Sequence, residues 1–449
     1  MNLNRLYHFV KYHNSRLSGV FKRVVETATS KELLRHHFRD TLYKNAYYLM
    51  AGTAVTSVLS FIFLTVATRL YNTEAVGLGA AIISAVGLLA IFSDLGLGIG
   101  LIRFLPGAGK DGNGMLNTCF TLSGLASIAI VLIFLAGLGF WSPALLPVRQ
   151  HPIFFAAFVV FAVVTGLQSL VSSTFLAKRN TRFIPITNII AGSLKIALVA
   201  LFAIFFNSAF GIFASAGLAM AIALLFAGLW FLPKVQSGYY PFPKIQKSVL
   251  NKLSRYSAGN YIARILLQMT PLILPLIVVN ALGAEMNAYF YVSWAVTTVL
   301  LVIPSSIFNS LFAEGSNDEA SLRANTVRSL KLMLLLLLPA TLLILIIAGK
   351  LLLLFGQAYS DNGALLLRIV VLAVIPWGIN YLYVSIARVK KNVSSIIKVT
   401  AVAACLSLGL GYFLMLKMGL VGVGIGYLAG QGIVAIPVAI YLWRSFYSQ

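Results

Sequence analysis

Four ionisable side chains interrupt apolar runs that are otherwise long enough to cross a bilayer: Asp94, Lys195, Arg264 and Arg368. An ionised group in hydrocarbon costs at least about 2.5–3.5 kcal/mol on insertion scales, so each is a candidate for function. Arg264 has the most informative spacing. Asn260, Arg264 and Gln268 recur every four residues and form one polar stripe on a helix that then reaches Pro271 and Pro275. A guanidinium with amide neighbours offers a fixed fork of N–H donors that suits a phosphate, and the prolines free backbone groups. The stripe is read as a substrate-binding face for an anion, against the blander reading of a buried salt bridge that serves packing alone.

Asp94 is nine residues from Arg103 at one end of its span, and Arg264 is eight or nine from the start of its own, so both lie about 12–14 Å deep at 1.5 Å per residue. Equal depth allows a pair that closes the cytoplasmic side and opens when an anionic head group takes Arg264, with Asp94 as gate or coupling residue. A static structural pair is the other reading. Lys195 lies about 18 Å from the inner end of its span, near the midplane, on a face with Asn188 and Gly192. It is read as substrate-binding, against a neutralised or internally paired lysine. Arg368, five residues inside its boundary, is expected to snorkel to the interface. A neutral polar lining is expected from Thr53, Thr56, Ser57 and Ser60, then Gln168, Ser169 and Ser172, then Ser293, Thr297 and Asn309, and finally Trp377, Asn380 and Tyr381. Such groups bind sugars, although small hydroxyl residues are also ordinary helix-packing residues in membranes.

The elements that must hold these residues follow from composition. Of 449 residues 59% are hydrophobic and 10% charged, and the mean hydropathy is +0.92. A soluble domain carries about 25% charged residues, so a water-facing surface cannot be covered from this inventory. The predicted fold is an all-α polytopic membrane protein. Runs such as 332–348 are apolar on every face, which excludes an alternating porin-like barrel. Taking about 20 apolar residues per crossing, twelve spans are expected at 46–69, 77–103, 115–140, 153–177, 183–206, 210–232, 256–281, 287–312, 329–349, 363–387, 396–416 and 419–443.

With the N-terminus inside, 27 Lys and Arg fall on cytoplasmic segments, four on the other side (Arg69, Arg149, Lys350, Lys417) and three within the membrane. Both termini are therefore expected in the cytoplasm of a cell with this protein in its inner or plasma membrane. A basic linker at 233–255 divides the chain into an N-lobe at 46–232 and a C-lobe at 256–443, with a tail at 444–449. An internal repeat supports this division. Gly166, Gln168, Leu170, Ser173 and Asn180 align at an offset of 212 with Gly378, Asn380, Leu382, Ser385 and Asn392, and Gly211 falls on Gly422 at 211. Two pseudo-symmetric six-helix lobes facing each other are a transporter architecture.

Other classes find little support. The net charge of +23 is distributed by side of the membrane, so nucleic acid is not an expected partner. The five histidines lie in the N-terminal segment or an outer loop, and Cys119 and Cys405 both fall in apolar runs, so no metal site or disulfide framework is spelled out. No paired carboxylates, P-loop or nucleophile elbow appears, and no cofactor is called for. An integral glycosyl-transfer enzyme or a membrane scaffold is the reading from a different class, and the outer loops are too short for a catalytic domain. No cleavable signal peptide is expected, because residues 1–45 form a basic segment longer than an n-region. Leu3, Leu6, Phe9, Val10, Leu17 and Val20 approach helical spacing there, among Lys and Arg, which suits an amphipathic helix on anionic lipid.

The stretch from Ala67-Thr-Arg-Leu-Tyr-Asn-Thr-Glu-Ala-Val-Gly77 through Ser84, Ser93-Asp-Leu-Gly-Leu-Gly98 and Leu101-Ile-Arg-Phe-Leu-Pro106 resembles the polysaccharide exporter or O-antigen flippase family. That family belongs to the multidrug, oligosaccharidyl-lipid and polysaccharide exporter superfamily. The resemblance implies a V-shaped pair of lobes around a central cavity lined by spans one, two, seven and eight, and a non-enzymatic flippase working by alternating access. Its implied partners are a lipid-linked oligosaccharide, membrane lipids and polysaccharide-assembly enzymes. A cation-coupled multidrug exporter of the same superfamily is the alternative, which would want more buried carboxylates than Asp94. Related lipid II flippases carry two further helices, and this chain lacks them.

Overall fold

A backbone amide in hydrocarbon must bond within its own segment, so apolar runs of this length fold as helices. The computed structural model describes residues 41–317 and 322–447, and no strand occurs among them. Among the described residues, twelve helices are long and apolar enough to cross a membrane: Gly52–Leu70, Thr73–Ser93, Gly112–Ala136, Pro152–Ala177, Phe183–Phe205, Ala209–Val235, Gly259–Leu282, Ala284–Ser316, Leu322–Leu352, Gln357–Val389, Val393–Met418 and Leu420–Ser445. They are spans 1 to 12 below. The amphipathic helix expected before residue 41 lies outside the described residues.

Spans 1–6 pack mainly on one another, as do spans 7–12, and the two lobes meet chiefly where span 2 lies against spans 7 and 8. The repeat is visible as geometry. Span 4 and span 10 both end in a left-handed residue, Arg179 at φ 56° and Lys391 at φ 54°. In each case the following asparagine amide reaches back five residues, Asn180 to Phe175 at 2.9 Å and Asn392 to Ala387 at 2.8 Å. This is the same helix stop, built twice at an offset of 212.

Three expectations are corrected. Span 2 does not run unbroken to Arg103, because Leu95 (φ 50°) and Gly96 (φ 76°) turn left-handed and a second short helix, Leu97–Phe104, follows. Span 10 likewise divides at Ala373 into Gln357–Leu372 and Val374–Val389. Pro376 lacks the amide that would bond the Leu372 carbonyl, so the ladder lapses there. The linker is shorter than 233–255, since the seventh helix already starts at Lys247. What remains is strapped to span 3 rather than free. Asn113 and Asn117 donate to the Gly238 and Tyr240 carbonyls at 2.9 and 3.1 Å, and the Lys244 and Gln246 amides donate to Thr121 and Thr118. Tyr239 is buried beneath this strap, and burial pushes its phenol well up.

On the side away from the basic segments the lobes touch backbone to backbone. A Cβ on Gly77 would lie 1.7 Å from the Ala284 carbonyl oxygen, and Asn287 donates to the Gly77 carbonyl at 2.7 Å. Arg69 donates to the carbonyls of Leu353 and, at 2.9 Å, Leu354, and Asn280 bonds Ser142 and the Ala144 amide.

A non-glycine residue held left-handed costs about 1–2 kcal/mol. Lys391→Gly is therefore expected to raise stability by about 1 kcal/mol, measured as a higher apparent Tm in detergent. An unchanged or lower Tm would show that the lysine side chain compensates for its backbone.

Candidate functional site

Asp94 stands where span 2 breaks, and the break explains how a carboxylate is tolerated there. Its Oδ1 accepts the Gly98 amide at 3.3 Å, in the first turn of the short helix, whose positive end favours an anion. Ser169 of span 4 donates to its Oδ2 at 3.4 Å. The decisive partner comes from the other lobe: Arg264 Nη1 approaches Asp94 Oδ2 to 3.1 Å, and Nη2 donates to Ser169 Oγ at 2.9 Å. Asp94 is 1% exposed and Arg264 34%. One turn earlier on span 7, Tyr261 donates to the Phe92 carbonyl at 2.8 Å, satisfying the frayed end of span 2. Span 7 thus caps and neutralises the break in span 2. Gly98 is required to be small, because a Cβ there would lie 2.8 Å from Ser173 Oγ and 3.0 Å from the Asp94 carboxylate.

The stripe predicted on span 7 is divided. Arg264 crosses to the N-lobe, Gln268 lines a separate cavity inside the C-lobe, and Asn260 sits half-buried nearer the basic end. Helical spacing places three residues on one side of a helix. The reach of each side chain decides which space it enters.

A cavity of 520 Å³ lies between the lobes. Besides spans 1, 2, 7 and 8, spans 4, 5 and 6 contribute to it, through Thr165, Lys195 and Phe213 among others. Among the described residues, Lys195 is the one charged residue in the lining. Its ammonium contacts Ser60 Oγ at 3.4 Å and stands 4.5 Å from the centre of the Phe63 ring, and no described carboxylate is within ion-pair distance. Asn188, on the same helix, donates to Thr56 Oγ1 at 2.8 Å and fixes span 5 against span 1. Thr56, Thr298 and Val299, from spans 1 and 8, line the cavity and are exposed.

Of the expected polar lining, Thr56, Ser57 and Ser60 reach this cavity. Gln168, Ser293 and Thr297 do not, because they are buried within their lobes, where Ser293 bonds the Gly363 carbonyl and Thr297 its own helix. Trp377, Asn380 and Tyr381 line the second cavity, and Asn309 accepts from the Tyr381 hydroxyl. Arg368 lies on the lobe exterior and donates to the Leu345 carbonyl. Sequence reasoning missed Ser84, Thr165, Trp294 and Thr298, isolated polar or amphipathic residues in apolar spans whose direction depends on helix rotation.

The residues from 42 to 313 match the family model for polysaccharide biosynthesis proteins. The chain belongs to that family. No curated protein sequence matches it. Among solved structures, an inward-facing multidrug resistance MATE family transporter of the MOP superfamily is 14% identical, with 88% of this chain and 95% of that one covered at a TM-score of 0.69. An outward-facing MATE family transporter of the same superfamily gives 15%, 91%, 96% and 0.63. A MOP superfamily transporter from Pyrococcus furiosus gives 14%, 90%, 95% and 0.64. At such identities the likeness is one of fold. This polysaccharide biosynthesis protein is a multi-pass membrane protein that shares the two-lobed fold of the MOP superfamily transporters.

Removing one partner of a buried pair strands the other. Asp94→Ala is expected to lower stability by about 1–3 kcal/mol, and Asp94→Asn combined with Arg264→Gln to recover part of the loss. Apparent Tm values across the double-mutant cycle check this; additivity would mean the pair is not coupled.

Proposed function

We propose that the protein is a flippase, moving a polyprenyl (pyro)phosphate-linked oligosaccharide from the cytoplasmic to the outer leaflet of the cell membrane by alternating access. The observation that carries this reading is the lone ammonium of Lys195 in an otherwise uncharged cavity between two lobes. A cation without a carboxylate partner, at mid-depth and in low dielectric, attracts a phosphate and repels a cationic drug. Membership of the polysaccharide biosynthesis family supports a glycan substrate. The Lys and Arg distribution supports a cytoplasmic basic side and cytoplasmic termini.

The latch between Asp94 and Arg264 supports a route for substrate to open that basic side. An anionic head group competes with Asp94 for the guanidinium, and Asp94 keeps the Gly98 amide and Ser169 when Arg264 leaves. With the cell interior negative, each negative charge moving outward gains up to about 2.3 kcal/mol per 100 mV, so no nucleotide is required. A cation-coupled multidrug exporter would need an anionic cavity. The described residues of the cavity lining include no carboxylate, and Asp94 is engaged outside it.

The test is thermal stability in detergent, titrated with a short polyprenyl pyrophosphate and separately with a cationic drug. Ligand at 100 times its Kd stabilises by about 2.7 kcal/mol. Wild type is expected to respond to the pyrophosphate, Lys195→Ala to need at least about tenfold more ligand, and Lys195→Arg to retain the response. A response to the drug alone overturns the reading.

A further inference from the structure

The second cavity, of 290 Å³, lies wholly within the C-lobe, between spans 7, 8, 10, 11 and 12. It meets the central cavity across Pro271, Trp294 and Thr298, which line both. Its volume equals roughly ten liquid waters at about 30 Å³ each, which is close to the dozen or so heavy atoms of one hexopyranose sugar. Among the described residues its lining contains no Lys, Arg, Asp or Glu. A cavity of this kind has no charge with which to hold a cation or a phosphate.

It does hold two other things. One is aromatic surface: Trp377 and Tyr381, one helical turn apart, stack at 4.9 Å and 9°, while Trp294 meets Tyr427 edge to face at 4.8 Å. The Tyr381 ring is held in place from several directions, by Trp377, by Asn309 at its hydroxyl, and by the Arg388 guanidinium 5.6 Å from its centre. The other is a set of unused hydrogen-bonding groups. Asn380 is 6% exposed and its amide nitrogen is spent on Gln431, at 3.1 Å to the carbonyl and 3.0 Å to Oε1, yet its Oδ1 is buried with no partner. The indole N–H of Trp377 and the amide of Gln268 likewise have no partner among the described residues. Pro271 adds to these, since it lacks the amide that would have bonded the carbonyl of Leu267, another lining residue.

A buried acceptor left unpaired costs about 1–3 kcal/mol, and a small turn of the Asn380 side chain toward the cavity lets a ligand hydroxyl recover it. Aromatic faces are electron-rich and favour the weakly positive C–H face of a sugar ring. The repeat shows that folding does not demand this arrangement: at the offset of 212, Trp377 and Tyr381 correspond to Thr165 and Ser169 in the N-lobe.

We propose that the C-lobe cavity is a subsite for one uncharged sugar residue, stacked on Trp377 and hydrogen-bonded by Asn380 and Gln268. Resting on the flippase reading, it also assigns the substrate a division: phosphate at Lys195 in the central cavity, and the first sugar in the C-lobe beyond Trp294. The glycan is thereby recognised on one lobe and the phosphate on the other, so that only a glycosylated lipid engages both.

Two measurements test the subsite and the flippase reading separately. The first is saturation-transfer NMR of the full-length protein in detergent with methyl β-glucopyranoside and methyl N-acetyl-β-glucosaminide, with mannitol as an acyclic control. Transfer to the ring protons is expected for wild type and Lys195→Ala, retained in Trp377→Phe, and reduced about tenfold in Trp377→Ala. Gln268→Ala, at an exposed position, serves if Trp377→Ala does not fold, and is expected to weaken transfer in the same direction. The second compares Kd for polyprenyl pyrophosphate with and without one N-acetylglucosamine. Wild type is expected to prefer the glycosylated lipid by about tenfold, Trp377→Ala to lose the preference while holding its Kd for the bare lipid, and Lys195→Ala to weaken both. Glycoside transfer without lipid binding would leave the subsite standing and overturn the flippase. Lipid binding with no glycoside transfer, or a preference unchanged by Trp377→Ala, would overturn the subsite alone. Silence in both would overturn both.

Discussion

A carboxylate placed inside a membrane must be neutralised, and in this protein the neutralising charge belongs to the other half of the molecule. Asp94 sits where span 2 breaks, supplied with one amide from the following turn and one hydroxyl from span 4, but its guanidinium partner comes from span 7. The N-lobe alone would hold an uncompensated buried anion, and the C-lobe alone a cation with nothing to meet. Because the penalty for stranding either is several times thermal energy, the pairing holds the two lobes in register at one end. Tyr261 reinforces the same joint by bonding carbonyls that the helix break leaves over.

The other end is joined by different physics. There Gly77 lets two backbones meet at a distance that excludes any side chain, and polar contacts go to carbonyl oxygens instead of charges. A close steric fit of this kind is insensitive to a charged ligand, whereas an ion pair can be exchanged for another anion. Between these two joints lies a cavity whose only charged residue among those described is Lys195. The ion pair that joins the lobes among the described residues therefore lies toward the basic side, and the close backbone contact toward the other.

The two lobes share a fold without sharing chemistry. Their helix stops at Arg179 and Lys391 superimpose in sequence and in backbone geometry. Yet at the repeat offsets, Lys195 corresponds to Ser407, Asp94 to Ser305 and Trp377 to Thr165. Duplication preserved what packing requires, namely small residues at helix crossings and left-handed stops. Each of these charged and aromatic residues is thus unmatched at the equivalent position of the other lobe.

Much of this was legible in the sequence, because the bilayer imposes a one-dimensional rule. Apolar length gives the number of spans, Lys and Arg sort the loops, and any charge within a span must find a partner, so the equal depths of Asp94 and Arg264 already suggested their pairing. The break at Leu95 and Gly96 was not legible, since left-handed geometry is set by how the chain meets its neighbours and no proline marks the place. Nor was the separation of Arg264 from Gln268, or the burial of Gln168, Ser293 and Thr297. Spacing along a helix defines a face, but which space that face looks into depends on helix rotation and on the elements packed against it. Depth in the membrane was therefore determined by sequence alone, and direction within it was decided only by the tertiary structure.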